Sequence, residues 1–197
     1  MLRNYGALTP TRLHAGVGYA QPAALVPEPV TLDDDAMRAM TDFRSITAAV
    51  TLSGDSVGDA HRRMIQRGVR LLLVVNQERH VVGLITASDI LGEKPLQVIT
   101  QRGIRREELL VRDIMTPQEQ LDVFDVAQLR TAKVGHVVAT LKQAGRQHAI
   151  VIEHEPSGRQ SVRGLFSATQ IARQLGVAIP TSEVARTFSE IEAQLAR

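Results

Sequence analysis

The 197-residue chain contains no cysteine and no tryptophan, and only four phenylalanines and two tyrosines. Without cysteine it can build no disulfide framework, no thiol nucleophile and no thiolate metal site, and a reducing, cytoplasmic setting is the natural expectation. So few aromatics leave little with which to stack bases. No apolar run approaches the ~20 residues needed to cross a bilayer, so no membrane association is expected. Charge of one sign is scarce as well: 23 Lys and Arg stand against 21 Asp and Glu, a formal net charge of +2. Although the sequence pI is about 9.4, so small an excess is no nucleic-acid signature by itself. Nothing matches Gly-x-Ser-x-Gly, a P-loop or His-Glu-x-x-His, and the expectation is that the chain is not an enzyme. What is present is an apolar share of 44%, enough to build a core, in a length that suits one domain or two small ones.

Residues 1–30 differ from the rest. They carry Pro10, Pro22, Pro27 and Pro29, and their first acidic residue is Glu28. Gly6, Pro10, Gly16 and Gly18 interrupt any amphipathic helix, so an irregular arm is expected, loose or lying on a partner surface.

The remainder holds an internal repeat. Val57-Gly58 and Val134-Gly135 lie 77 positions apart, and at the same offset Gln66 matches Gln143, Gly68 matches Gly145, and Leu73-Val74-Val75 falls on Ile150-Val151-Ile152. Met40-Thr41 answers Met115-Thr116 at an offset of 75, and Gly83 to Ile90 answers Gly164 to Ile171 at an offset of 81. The growth in offset fits a longer hairpin turn through Glu155-Pro156-Ser157-Gly158. Several matches at one offset mark a true repeat.

Each copy reads as β-α-β-β-α. A short strand is expected over Ala49 to Leu52, and over Leu121 to Phe124 in the second copy. Ser56 is placed to cap a helix whose apolar stripe is Ala60, Met64 and Ile65, and Gly68 and Gly145 stand where a left-handed residue ends a helix. Leu71 to Val75 and Ala149 to Ile152 are too short for helices and rich in branched residues, hence buried strands. A second strand follows from Val81 to Ile85, and a last helix starts near Ser88 or Thr169. A unit of about 60 residues hides only ~60% of its surface alone, so two copies are expected to pack sheet against sheet with a cleft at the joint. Between them Pro95 to Arg102 reads as a helix stopped by Gly103. After Pro180-Thr181, the spacing of Val184, Phe188, Ile191 and Leu195 predicts an amphipathic helix, read as packing on the core in preference to pairing with another subunit. The organisation is therefore an arm over 1–30, repeats over 31–92 and 111–176, a helical linker over 93–110, and a C-terminal helix over 177–197, in an α+β (α/β) class.

The pattern Gly-h-h-Thr-x-x-Asp after two apolar strands, with Val-Arg-Asp-Ile-Met-Thr-Pro at Val111 to Pro117, resembles the CBS domain, and two copies resemble a complete CBS pair or Bateman module. The resemblance covers roughly Thr31 to Gly176. It implies a free-standing regulatory module, homodimeric, that binds an adenine nucleotide (AMP, ADP or ATP) or S-adenosylmethionine in the cleft and reports its level to a protein partner. Carried over by the matching positions, Asp89 would accept hydrogen bonds from the ribose hydroxyls, Thr86 and Ser88 would bond ribose or phosphate oxygens, and Arg70 would contact phosphate. Adenine would lie against Leu121 to Val123, and His148 would reach the same phosphates. Gln170 stands where the second motif wants Asp, and Leu71 where the family often has Arg or His, so one competent site is expected, not two.

Each of these residues also has an ordinary structural reading. Asp89 is a typical first-turn residue, Arg70 a surface cation at a strand edge, and His148 a half-buried strand histidine. Strand alternation sends His154 to the face opposite Glu153 and Glu155, and His61 and His136 have no histidine four residues away, so no metal site is expected. Two further readings stand beside the sensor: a ligand-free dimeric interaction scaffold, and nucleic-acid binding through the basic arm.

Overall fold

The computed structural model describes residues 28–177, together with His14 and Val17. The expected arm over residues 1–30 and the expected helix over 177–197 therefore lie almost wholly outside the described residues.

A 3-10 turn at Ala36–Ala39 leads into β1 (Thr41–Asp42). Then follow β2 (Val50–Leu52), α1 (Val57–Arg67), β3 (Leu71–Val75), β4 (Val81–Thr86) and α2 (Ala87–Leu91). The linker helix is α3 (Lys94–Arg102), after which α4 (Val111–Ile114) leads into β5 (Thr116–Pro117). The second copy runs β6 (Val123–Asp125), α5 (Val126–Leu129), α6 (Val134–Gln143), β7 (His148–His154), β8 (Gln160–Ser167) and α7 (Ala168–Gln174). The α+β class and the doubled β-α-β-β-α order are as the sequence leads one to expect. The short α5 is an addition of the second copy. Residue pairing shows what it does to the register: Val50 lies beside Leu73 and Val123 beside Ile150, so the first strands are offset by 73 where the helices after them are offset by 77.

Local chemistry explains the boundaries. The Ser56 hydroxyl accepts from the Asp59 amide at 3.0 Å, satisfying one of the orphan donors of α1. Gly68 and Gly103 close α1 and α3 with φ of 63° and 64°, a region that costs a side-chain-bearing residue about 1–2 kcal/mol. The longer hairpin of the second copy turns at Gly158, whose amide donates to the Glu155 carbonyl at 2.8 Å.

Two four-stranded sheets result, ordered β2-β3-β4-β5 and β1-β8-β7-β6. Each is closed by a strand from the other half of the chain. The lead-in to the second repeat supplies β5, antiparallel to β4 with Gly83 opposite Pro117 and Leu84 opposite Thr116. The lead-in to the first supplies β1, with Thr41 opposite Leu165 and Asp42 opposite Gly164. The cores are mixed in the same way. Ala36, Ala39 and Met40 are buried with Val134, Val137, Val151, Phe166 and Ile171. Leu109, Val111 and Ile114 are buried with Val57, Ala60, Met64, Leu72 and Ile85.

Strand alternation then sorts the remaining apolar side chains. In β3, Leu72 and Val74 face the helices, whereas Leu71 and Leu73 face the other sheet, where they meet Ile150 and Ile152 of β7. Each such burial is worth ~1.5–3 kcal/mol. The two copies thus close face to face along a third apolar cluster that belongs to neither alone.

A charged group marks one asymmetry. β4 bulges at Val82 and β8 at the equivalent Arg163. Arg163 is nearly buried and is paired with Asp42 of β1 and, at 3.4 Å, with Glu153. Arg44 grips the same Glu153 at 2.8 Å. These pairs tie the lead-in of the first repeat to the second sheet.

Candidate functional site

The corner where β4 passes into α2 is built from the Thr-x-x-Asp motif. Thr86 follows Leu84 on the inter-sheet face and caps α2: its hydroxyl oxygen accepts from the Asp89 amide at 3.2 Å. Asp89 returns the bond. Its Oδ2 accepts from the Thr86 amide at 2.8 Å and from the Thr86 hydroxyl at 2.7 Å. The other oxygen, Oδ1, accepts from the Lys94 ammonium at 2.5 Å. The Asp89 side chain is 12% exposed and that of Lys94 49%. Lys94 opens α3, and its ammonium also approaches the Ile114 carbonyl at 3.5 Å, so it bridges the corner to the end of α4.

Arg70 lies just before β3. Its carbonyl accepts from the Ala87 amide at 2.9 Å, which fastens it beside the first turn of α2. Its side chain is exposed and has no hydrogen bond or ion pair among the described residues. His148 opens β7, paired with Ser167, on the face that Ile150 and Ile152 turn toward the other sheet. Its imidazole pKa is lowered to about 4, first by burial and next by the positive charge of Arg70, while the Asp89 carboxylate pulls the other way. The imidazole is therefore neutral near pH 7, a donor at one nitrogen and an acceptor at the other. These couplings place Arg70, Asp89 and His148 in one electrostatic neighbourhood, although they come from both repeats.

Leu121 belongs to the inter-sheet cluster, and residues 118–120 just before it pack along β4. Val123 is 42% exposed. It lines a shallow pocket with about 310 Å³ of open space, together with Phe124, Leu141 and Ala149, beneath an Asp122–Arg146 ion pair of 2.8 Å. That pocket lies on the α6 side of the second sheet. Ser88 is exposed and its hydroxyl makes no hydrogen bond among the described residues, so Thr86 alone carries the cap.

The pseudo-equivalent corner of the second copy has lost its ionisable groups. Gln147 stands for Arg70, Gln170 for Asp89, Leu71 for His148 and Leu175 for Lys94, with Ser167 in place of Thr86. Gln170 does not return to its own helix cap: its Oε1 accepts from the Thr41 hydroxyl of β1 at 3.3 Å. The two corners are therefore alike in backbone and unlike in charge. Sequence reasoning singled out Arg70, Thr86, Asp89 and His148 but not Lys94, which the structure pairs with Asp89. The only signal available was a cation five residues beyond Asp89, immediately before Pro95, and only the α2–α3 corner shows that it turns back.

Among the described residues, no group of three or more His, Asp or Glu is arranged to hold a metal, and no helix is long and apolar enough to cross a membrane.

Residues 26–96 match the family model of the CBS domain. A structure of an uncharacterised conserved protein from Pyrococcus horikoshii superposes with a TM-score of 0.54 at 21% identity, covering 78% of this chain and all of that one. CBSX2, a CBS-pair protein of Arabidopsis thaliana solved in complex with AMP, superposes with a TM-score of 0.50 at 19% identity, covering 71% of this chain and 93% of that one. A CBS-domain protein of unknown function from Thermoplasma acidophilum gives a TM-score of 0.50 at 18% identity, covering 80% of this chain and 77% of that one. Among curated proteins, none matches the chain.

Proposed function

We propose that this chain, whose residues 26–96 match the CBS-domain model and whose fold is that of the CBS-pair protein CBSX2, is a regulatory module that takes an adenosyl ligand at the Thr86–Asp89 corner. The observation that carries the reading is one-sided: Asp89 is bonded to Thr86, the Arg70 backbone is fastened to Ala87, and His148 feels the charge of both Arg70 and Asp89, whereas their counterparts are Gln170, Gln147 and Leu71. A carboxylate at a helix start accepts from vicinal ribose hydroxyls. The guanidinium of Arg70 pairs with phosphate, and the neutral imidazole of His148 donates to it. Leu121, in the inter-sheet cluster, offers an apolar flank for the base, whereas Val123 lines the separate pocket on the α6 side. The AMP bound to CBSX2 is in keeping with this ligand class. AMP, ADP, ATP and S-adenosylmethionine all carry the diol that Asp89 reads. Regulation would follow from unequal affinity for two arrangements of the repeats, or of two copies in a homodimer, sensed by a protein partner.

A second reading, a ligand-free scaffold, is favoured by one observation: Asp89 is already satisfied by Thr86 and Lys94. A thermal-shift screen with the four ligands separates the two. At 100 times Kd, binding adds ~2.7 kcal/mol. A chain of this size should then melt about 5–10 °C higher. If none of the four ligands moves the midpoint, the sensor reading is wrong and the scaffold stands.

A further inference from the structure

The Asp89 carboxylate has two oxygens, each with room for two hydrogen bonds. Oδ2 is filled by the amide and hydroxyl of Thr86. Oδ1 holds the Lys94 ammonium, leaving one vacant position on the whole group. A vicinal diol wants two acceptors at once. The Thr86 amide cannot leave without undoing the cap of α2. Lys94 can: its side chain is 49% exposed and its ammonium is free to return to water.

We infer that Lys94 sets the affinity of this corner by occupying the carboxylate edge that a ligand hydroxyl needs. The inference rests on reading the Thr86–Asp89 corner as the ligand site. Lys94 is then a positioning residue with an inhibitory effect, an internal occupant that must be displaced before Asp89 holds both hydroxyls. The second copy has no such device, since Leu175 takes the place of Lys94 and Gln170 is drawn away to Thr41. The competition is mild by construction. Only the lysine end is half-exposed, the Asp89 side chain being 12% exposed, but a departing ammonium returns to water while a ligand hydroxyl takes its place on the carboxylate.

The test is calorimetric titration of the full chain with adenosine, which has the diol and no phosphate, and with AMP in parallel. Lys94→Met should bind adenosine at least roughly twofold more tightly than the native protein, the lower bound set by ion pairs more exposed than this one. Lys94→Arg should behave like the native chain. Raising salt should tighten adenosine binding to the native protein, because screening loosens the Lys94–Asp89 pair, and should leave Lys94→Met unchanged. A change in folding alone would not produce that salt dependence for a neutral ligand. If Lys94→Met binds adenosine no better than the native protein, the inference is overturned while the nucleotide site stands. If AMP binds but adenosine binds neither protein, the diol is not the group recognised and the inference is again overturned. If neither probe binds either protein, the proposed site and the inference go together.

Discussion

The α-carbon of Gly83 lies against the carbonyl oxygen of Thr116, so close that a methyl group on it would sit 2.5 Å from that oxygen. Gly164 stands to Thr41 in the same way, closer still. In both copies this glycine is where an edge strand from the other half of the chain pairs antiparallel with the sheet. The obstacle is backbone, which cannot rotate aside as a side chain would.

Gly83→Ala should therefore force β5 away from β4 and destabilise the protein by about 1–3 kcal/mol, the usual cost of overpacking. Gly164→Ala should do the same through β1. Gly58→Ala, whose methyl would meet only side-chain atoms at 3.8 Å, serves as the comparison and should not destabilise. Urea denaturation of the three variants decides it. Unchanged midpoints for Gly83→Ala and Gly164→Ala would show that the exchanged strands are not tightly held.

His148 gives a pH dependence of definite sign. In the unfolded chain an imidazole takes up its proton near pH 6.5, whereas in the folded protein burial and the charge of Arg70 delay this to about 4. Between those values the unfolded chain binds the proton and the folded one does not. Stability present above about pH 6.5 is therefore lost as pH falls toward 4. The lost share is on the order of 2–3 kcal/mol. His148→Leu, which copies the Leu71 of the other half, should flatten this part of the curve. Melting temperatures of both proteins from pH 7 to pH 4.5 test it, and parallel curves would refute the assignment.

The two corners should respond unequally to ligand. Asp89→Asn and Asp89→Ala should each abolish an AMP-induced thermal shift, since the first keeps an acceptor for the Thr86 amide but loses the charge. Gln170→Ala should leave the shift nearly intact. Each variant is compared with its own ligand-free midpoint, because changing Asp89 disturbs the reciprocal half of the α2 capping box by itself. Equal losses at the two positions would contradict a single competent site.

Ser56→Ala removes the side-chain acceptor that the Asp59 amide uses at the start of α1. The expected cost is ~1 kcal/mol, read as a lower chemical-denaturation midpoint with unchanged slope.

Much of this was legible in the sequence because it is local. The cap at Ser56, the left-handed stop at Gly68, the five-residue apolar run Leu71 to Val75 and the helix ending at Gly103 follow from residues within one turn or one strand of each other. The repeat itself revealed the β-α-β-β-α order, and the family resemblance singled out Thr86, Asp89, Arg70 and His148 as candidates. A two-residue strand has no periodicity, however, so Thr41–Asp42 and Thr116–Pro117 could be matched to each other but not recognised as strands. Only the pairing with Leu165 and Leu84 makes them so.

The sequence by itself determined which residue types stand at each corner: the first keeps an arginine, a carboxylate and, from the other repeat, a histidine, while the second keeps amides and leucines. Tertiary structure alone decided that the lead-ins trade sheets, that Leu71 and Leu73 meet Ile150 and Ile152, and that Lys94 closes on Asp89. The reason is physical. Caps and turns are fixed by hydrogen bonds between near neighbours, whereas the partner of a buried face or a surface ammonium is set by whatever the rest of the chain brings within reach.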